Sequence, residues 1–263
     1  MNLAGRSVLL TGATGGLGHA IARRLHRAGA SLVLSGRRAD VLEPLAAEVG
    51  ARTAAADLAD PGAVARLADR WADVDVLVSN AGLPASGPLG SFTVEQIDRA
   101  LAVNLRAPMI LTRVLAERMA ARQAGHLVFM SSLSGKVGSP GTAVYSATKF
   151  GLRGFAQGVR ADLSGSGVGV SVVFPGFVRD AGMFADAGGR VPPWVGTSAA
   201  EEVADAVVAA IERERAEVDV APAGLRLGVK VAGLAPGLAG SVQNRFGGRR
   251  ISEELSRGQM GKR

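Results

Sequence analysis

The chain has 263 residues and a mass of 26.8 kDa, with 48% hydrophobic residues and a mean hydropathy of +0.22, which fits one large α/β domain or two small ones and argues against a disordered body. It has no cysteine, which excludes disulfides, thiolate catalysis and Cys-ligated metal, and His19, His26 and His126 are scattered without ligand spacing, which argues against a His-based metal site, so no metal is expected. The formal charge of +7 is not the footprint of a nucleic-acid binder: from Ala223 onward eight Lys and Arg stand against two Glu, and that segment alone carries +6.

Met1 leads quickly into Ser7-Val8-Leu9-Leu10 and then glycines, which is too short a run for a signal peptide. No uncharged apolar stretch approaches the roughly 18 residues of a membrane span. A cytoplasmic protein is expected.

A strand over residues 6–11 opens the chain and runs into Thr11-Gly12-Ala13-Thr14-Gly15-Gly16-Leu17-Gly18, followed by a helix over 17–28. Glycines at 12, 16 and 18 permit a tight turn, close approach of backbone to a pyrophosphate, and close helix–strand packing. The helix amino terminus adds unpaired N–H groups for the phosphates. The second strand, 31–35, ends in Ser35-Gly36-Arg37-Arg38 ahead of a helix over 39–49. An acid at this point would hold the ribose 2′-hydroxyl of NAD. Here Gly36 leaves room, and Arg37 and Arg38 can pair with a 2′-phosphate, so NADP(H) is favoured over NAD(H). The third strand, 53–56, leads to Asp57-Leu58, where the carboxylate could accept from an adenine amino group. Asp60 fits the N-cap of the helix 61–71 that begins at Pro61. The fourth strand, 74–79, ends in Asn80-Ala81-Gly82: the Asn suits the carboxyl edge of the sheet, and the small residues let a cofactor lie close.

A helical stretch follows over 93–123, split or kinked by Pro108. The fifth strand, 126–131, precedes Ser132, and a helix over 143–163 carries Tyr145, the only tyrosine, with Lys149 one turn later. A free phenol titrates about three units above neutrality. The ammonium is expected to lower it toward a working acid or base, although the pair alone fits a half-buried core tyrosine equally well. A sixth strand, 168–174, leads to Pro175-Gly176 and then the aperiodic segment 180–197. That segment, with Met183, Phe184, Val191, Trp194 and Val195, reads as a lid over an apolar substrate pocket. A helix over 199–213 and a weaker strand over 217–221 close the pattern. The six strong strands read as buried and parallel, giving a doubly wound α/β sheet of about seven strands with helices on both faces. Residues 1–222 read as a single catalytic domain and 223–263 as a basic extension. Within the extension, 225–242 is apolar, with Leu238 and Val242 in a second short helix beyond Pro236.

Gly12, Gly16 and Gly18, Asp57, Asn80-Ala81-Gly82, Asn104, Ser132, Tyr145-x-x-x-Lys149 and Pro175-Gly176 follow the order and spacing of the short-chain dehydrogenases/reductases, which the chain resembles over about residues 5–220. The resemblance implies a Rossmann-like fold and hydride transfer between a nicotinamide cofactor and a carbonyl or alcohol. It implies Tyr145 as general acid/base, Lys149 on the nicotinamide ribose and lowering the Tyr145 pKa, Ser132 on the substrate oxygen, and Asn104 holding a water. It also implies cofactor contacts from Gly12, Thr14, Gly15, Gly16, Leu17 and Gly18, from Arg37 and Arg38, from Asp57 and Leu58, from Asn80, Ala81 and Gly82, and from Pro175, Gly176 and Val178. One position departs from the pattern: after Val178 the family usually has a Thr two residues on, and this chain has Asp180.

An NADP-dependent reductase or dehydrogenase acting on a hydrophobic carbonyl or secondary alcohol, as a homodimer or homotetramer, is the leading expectation. The competing classes are a non-catalytic NADP-binding regulator and an adaptor that meets a membrane surface or nucleic acid through the basic tail.

Overall fold

The computed structural model describes residues 1–234 and 258–259. Seven strands, β1 (Ser7–Thr11), β2 (Ser31–Gly36), β3 (Arg52–Ala55), β4 (Val76–Ser79), β5 (Gly125–Met130), β6 (Val168–Pro175) and β7 (Glu217–Val220), form one parallel sheet in the order β3-β2-β1-β4-β5-β6-β7. The strands alternate in the side they present. Val8, Leu10, Leu32, Leu34, Val76, Val78 and Met130 face a core closed by α1 (Gly16–Arg27), α2 (Ala39–Val49) and α8 (Ala200–Glu212). Leu9, Val33, Leu77, Leu127 and Phe129 face the opposite core, under α3 (Pro61–Arg70), α5 (Ala107–Ala121) and α6 (Ala143–Asp162). Burying each such side chain stabilises the fold by roughly 1.5–3 kcal/mol, and this two-sided demand explains the unbroken apolar strands.

The strand order reverses between β1 and β4, opening a crevice at their carboxyl ends where ligands of such sheets bind. Thr11 and Asn80 stitch that point together. The Thr11 hydroxyl accepts from the Asn80 and Ala81 N–H groups, each at 3.1 Å, and the Asn80 amide donates to the Thr11 and Gly12 carbonyls at 3.2 and 3.1 Å.

Three expectations need correction. β3 is not a buried strand: it pairs only with β2, and Arg52, Thr53 and Ala55 are exposed. Its small and polar residues suit an edge. The 93–123 helix breaks before Pro108, not at it. α4 (Val94–Leu101), capped by Thr93 and Gln96, passes into a π-helical turn, Ala102–Arg106, before α5 resumes. Pro108 supplies no N–H to the carbonyl four residues upstream, that of Asn104, so the ladder loosens there. The lid is not wholly aperiodic either, since it contains the short α7 (Gly182–Asp186).

Beyond β7, α9 (Ala223–Leu234) packs Leu225 and Val229 on the body. The expected second helix with Leu238 and Val242 lies outside the described residues. Among the described residues no helix is long and apolar enough to cross a membrane.

Candidate active site

The glycine-rich turn is shaped first by its own backbone. Gly12 has φ +67°, and a Cβ there would lie 2.6 Å from the Ala81 Cα; a Cβ on Gly18 would run into the Gly12 carbonyl and the Ala13 backbone. Gly15 faces open space, with only the Gly12 carbonyl within reach of an added Cβ. α1 begins at this point with no side-chain cap and no acid in its first turn. An uncapped amino terminus beside open glycine backbone fits a pyrophosphate, because its N–H groups and dipole need an anion. At the adenosine end, a Cβ on Gly36 would come 2.7 Å from the Thr14 Cγ2, and the Arg38 guanidinium donates to the Thr14 carbonyl at 3.0 Å. Arg38 is thus docked beside the turn, where a phosphate on the ribose could reach it.

Asp60 caps α3 by accepting from the Gly62 N–H at 2.9 Å, which leaves Asp57 for other work. The Asp57 carboxylate accepts from the Ala59 N–H and from Arg99, each at 3.0 Å. Partial burial alone would raise this carboxyl, but those two bonds outweigh it and hold it below the usual carboxylate range. Leu58 is buried in the core under α3 and α5.

Across the crevice the groups are side chains: Asn104 and Lys149 are buried, and Ser132 and Tyr145 are half-buried. Asn104, fully enclosed in the π-helical turn, accepts from the Leu83 N–H at 2.7 Å and donates to the Leu83 carbonyl at 3.0 Å and to Thr148 at 3.3 Å. These bonds use both amide N–H groups and one of the two lone pairs of the amide oxygen. Lys149 is 3% exposed and donates to the Met130 carbonyl at 2.9 Å. Its ammonium lies 3.6 Å from where a Cβ on Gly82 would stand, so it looks directly onto the Asn80-Ala81-Gly82 turn. Burial drives the Lys149 pKa down to about 8. Ser131 accordingly serves structure, donating to the Lys149 carbonyl at 3.1 Å, while the Ser132 hydroxyl accepts from the Ser134 N–H at 3.2 Å.

Tyr145 does not titrate as the pair suggests. Burial pushes its phenol up to about 12, and the Ser132 hydroxyl beside it pulls only weakly the other way. The Lys149 ammonium stands 5.6 Å from the centre of the tyrosine ring and is turned to Met130, so desolvation wins over attraction.

The departure at Asp180 has a structural explanation. Its carboxylate accepts from the Ala200 N–H at 2.9 Å, at the amino terminus of α8, where Glu202 also accepts from the Ala199 N–H at 2.9 Å. A carboxylate there is favoured by the helix dipole and is occupied away from the pyrophosphate turn. The lid then crosses the cradle: Ala181 lies 2.8 Å from where a Cβ on Gly16 would be, Leu17 meets Gly182, and the Met183 methyl stands 3.4 Å from the Cβ position of Gly82. Val178 is buried and bridges to Ser198, and Gly176 fits between Ala221 and Leu133. The rings of Phe177 and Phe184 pack at 5.0 Å between centroids, tilted by 51°, and give the lid an apolar contact of its own. Trp194, counted among the apolar pocket residues, is 76% exposed and contributes to the outer surface instead. Gln259, itself buried, donates to the Met183 carbonyl at 3.3 Å.

Sequence reasoning passes over Thr11, Arg99 and Thr148, each of which fixes a site residue. Thr148 carries a faint signal, one residue before Lys149 on the helix. Arg99 carries none, because its partner Asp57 is far away in the chain.

A family model described as short chain dehydrogenase matches residues 6–191. The ketoacyl reductase HetN of Nostoc sp. is 37% identical over 227 residues, spanning 83% of this chain and 79% of that protein. A short-chain dehydrogenase from Sphingobium yanoikuyae, solved in complex with NADPH, superposes with a TM-score of 0.78 at 29% identity, covering 89% of this chain and 94% of that one. The bulky-bulky ketone specific alcohol dehydrogenase from Comamonas testosteroni gives a TM-score of 0.77 at 26% identity over 90% of this chain and 94% of that one.

Proposed function

The chain belongs to the short-chain dehydrogenase/reductase family, an oxidoreductase family that uses nicotinamide cofactors, and on that premise we propose that it is an NADPH-dependent reductase of hydrophobic ketones, reversible to secondary-alcohol oxidation. The observation that carries the reading is that Asn104 and Lys149 meet the Gly82 turn, with Tyr145 set between Lys149 and the Ser132 hydroxyl, on a sheet that also carries an uncapped, glycine-lined helix terminus.

The bound cofactor supplies the hydride. Gly12, Gly15 and Gly16 and the amino terminus of α1 hold the pyrophosphate, and Arg37 and Arg38 pair with the 2′-phosphate. Lys149 has three N–H donors and commits one to Met130, so two remain for the nicotinamide ribose hydroxyls. Tyr145 gives its proton to the substrate oxygen as negative charge develops there, and the Ser132 hydroxyl donates a second hydrogen bond to the same oxygen. Burial, which raises its pKa to about 12, keeps the phenol protonated at physiological pH but makes it a weaker donor, so the transfer relies on the negative charge that develops on the substrate oxygen. The Asn104 carbonyl, left without an i→i−4 partner by Pro108, holds a water that returns protons toward Lys149. Phe177, Met183 and Phe184 give the substrate an apolar wall. In this reading residues 1–222 are the catalytic domain, 180–197 its lid, and the active form is a homo-oligomer. The NADPH-bound Sphingobium relative and the bulky-ketone specificity of the Comamonas relative support the cofactor and substrate class.

Turnover followed by NADPH and NADH absorbance across ketones, aldehydes and alcohols tests the reading. Bulky apolar ketones with NADPH should react fastest. Faster reaction with NADH, or with small charged carbonyls, would contradict it.

A further inference from the structure

α9 is apolar on two opposite sides, and only one of them is used by the fold. Leu225 and Val229 pack inward against the body, where Leu225 lies near Gly176 at the carboxyl end of β6. On the outer side Leu227, Val231 and Leu234, spaced four and three residues apart, form a stripe that is 64%, 58% and 88% exposed. Arg226 and Lys230 run along one flank of that stripe, both exposed, and Gly224 and Gly228 along the other. Trp194, 76% exposed, lies close to the start of α9, because Gly196, two residues further on, abuts Pro222, the residue before the helix begins. An aliphatic stripe with flanking cations, and an exposed tryptophan near the helix start, is the composition of an interfacial helix.

Charge decides what covers this face. From Ala223 to Ser252 the chain has five bases, Arg226, Lys230, Arg245, Arg249 and Arg250, and no acid. A second copy docked through α9 would set cation against cation. The residues that follow α9 have the same net sign, with six bases against Glu253 and Glu254. An anionic surface offers the complement, and each basic residue near such a lipid surface is worth about 1 kcal/mol.

We propose that the outer face of α9, together with Trp194, docks the protein on an anionic lipid bilayer. Leu227, Val231, Leu234 and Trp194 enter the headgroup boundary, and Arg226 and Lys230 meet lipid phosphates. Because α9 and the lid border the substrate crevice, its mouth then opens at the bilayer, where apolar substrates partition. The inference stands on the surface of α9 and does not depend on which carbonyl is reduced.

The test is flotation of the full chain with phosphatidylglycerol–phosphatidylcholine vesicles and with pure phosphatidylcholine vesicles, at low and high salt. Binding is expected only to the anionic vesicles and should weaken with salt. The triple variant Leu227→Gln, Val231→Gln, Leu234→Gln should bind about tenfold more weakly or worse, as should Arg226→Glu with Lys230→Glu. Both carry surface changes whose folding is checked by thermal melting. In a Trp71→Phe background, the emission of Trp194 should shift to the blue on binding. Failure of the full chain to float would overturn the proposal, as would variants that float like the parent. So would a concentration-dependent dimer abolished by the triple variant, which would give the face to a second copy.

Discussion

The two sides of the crevice hold their ligands by different physics. On the β1–β2 side the cradle is backbone: Gly12 and Gly18 are required because any Cβ would strike neighbouring main chain, and the helix terminus offers N–H groups that need no side chain. On the β4–β5 side the working groups are side chains whose properties are set by burial, with Lys149 driven down to about 8 and Tyr145 pushed up to about 12. The first side should therefore fail through shape, losing binding and stability together. The second should fail through charge, losing turnover with stability intact or improved.

Gly18→Ala is the sharpest attack on the cradle. The added methyl has no space against the Gly12 carbonyl and the Ala13 backbone. NADPH affinity should fall by about a hundredfold or more while the fold loses about 2 kcal/mol, read by fluorescence titration and thermal melting. If affinity falls with no loss of stability, the cradle is not steric in the way argued. Lys149→Met should reverse the pattern. Turnover should fall by about a hundredfold, whereas at pH 7 stability should rise by about 2 kcal/mol, since a buried ammonium is replaced by an apolar chain of similar length. The Lys149 pKa is lower in the folded protein, about 8, than its ordinary 10.5, so its burial cost is full below pH 8 and fades as pH rises from 8 toward 10.5. The stability advantage of the variant should shrink over that window, which melts in a pH series will show. The smallest effect is expected at the adenosine end. Arg37→Ser with Arg38→Ser should raise the KM for NADPH about tenfold and leave that for NADH nearly unchanged, because the pair is exposed and screened.

Much of this architecture is legible in the sequence because it rests on local rules. Strand periodicity gives the sheet, and the glycine spacing after β1 gives the cradle. Asp60 announces its own helix, since a cap acts over two residues. What stays hidden depends on distant partners. Asp180 reads as an awkward acid near a pyrophosphate, and only folding brings the Ala200 N–H to it. The π-helical turn at Asn104 is seen as a kink at Pro108, because the proline is visible and the change of hydrogen-bond pattern upstream of it is not. The tyrosine illustrates the same limit. A lysine one turn away suggests a lowered pKa, but the outcome depends on how deeply the phenol is buried and which way the ammonium turns, and neither is written in the spacing.

The most direct test of the central claim uses Tyr145→Phe, which removes one oxygen from the side-chain side and leaves the cradle untouched. NADPH titration followed by addition of a bulky ketone to the same sample separates the two sides. The expected result is NADPH affinity and melting temperature within error of the parent, with turnover reduced by about a thousandfold. Turnover that survives the substitution would contradict the assignment of Tyr145 as the proton donor.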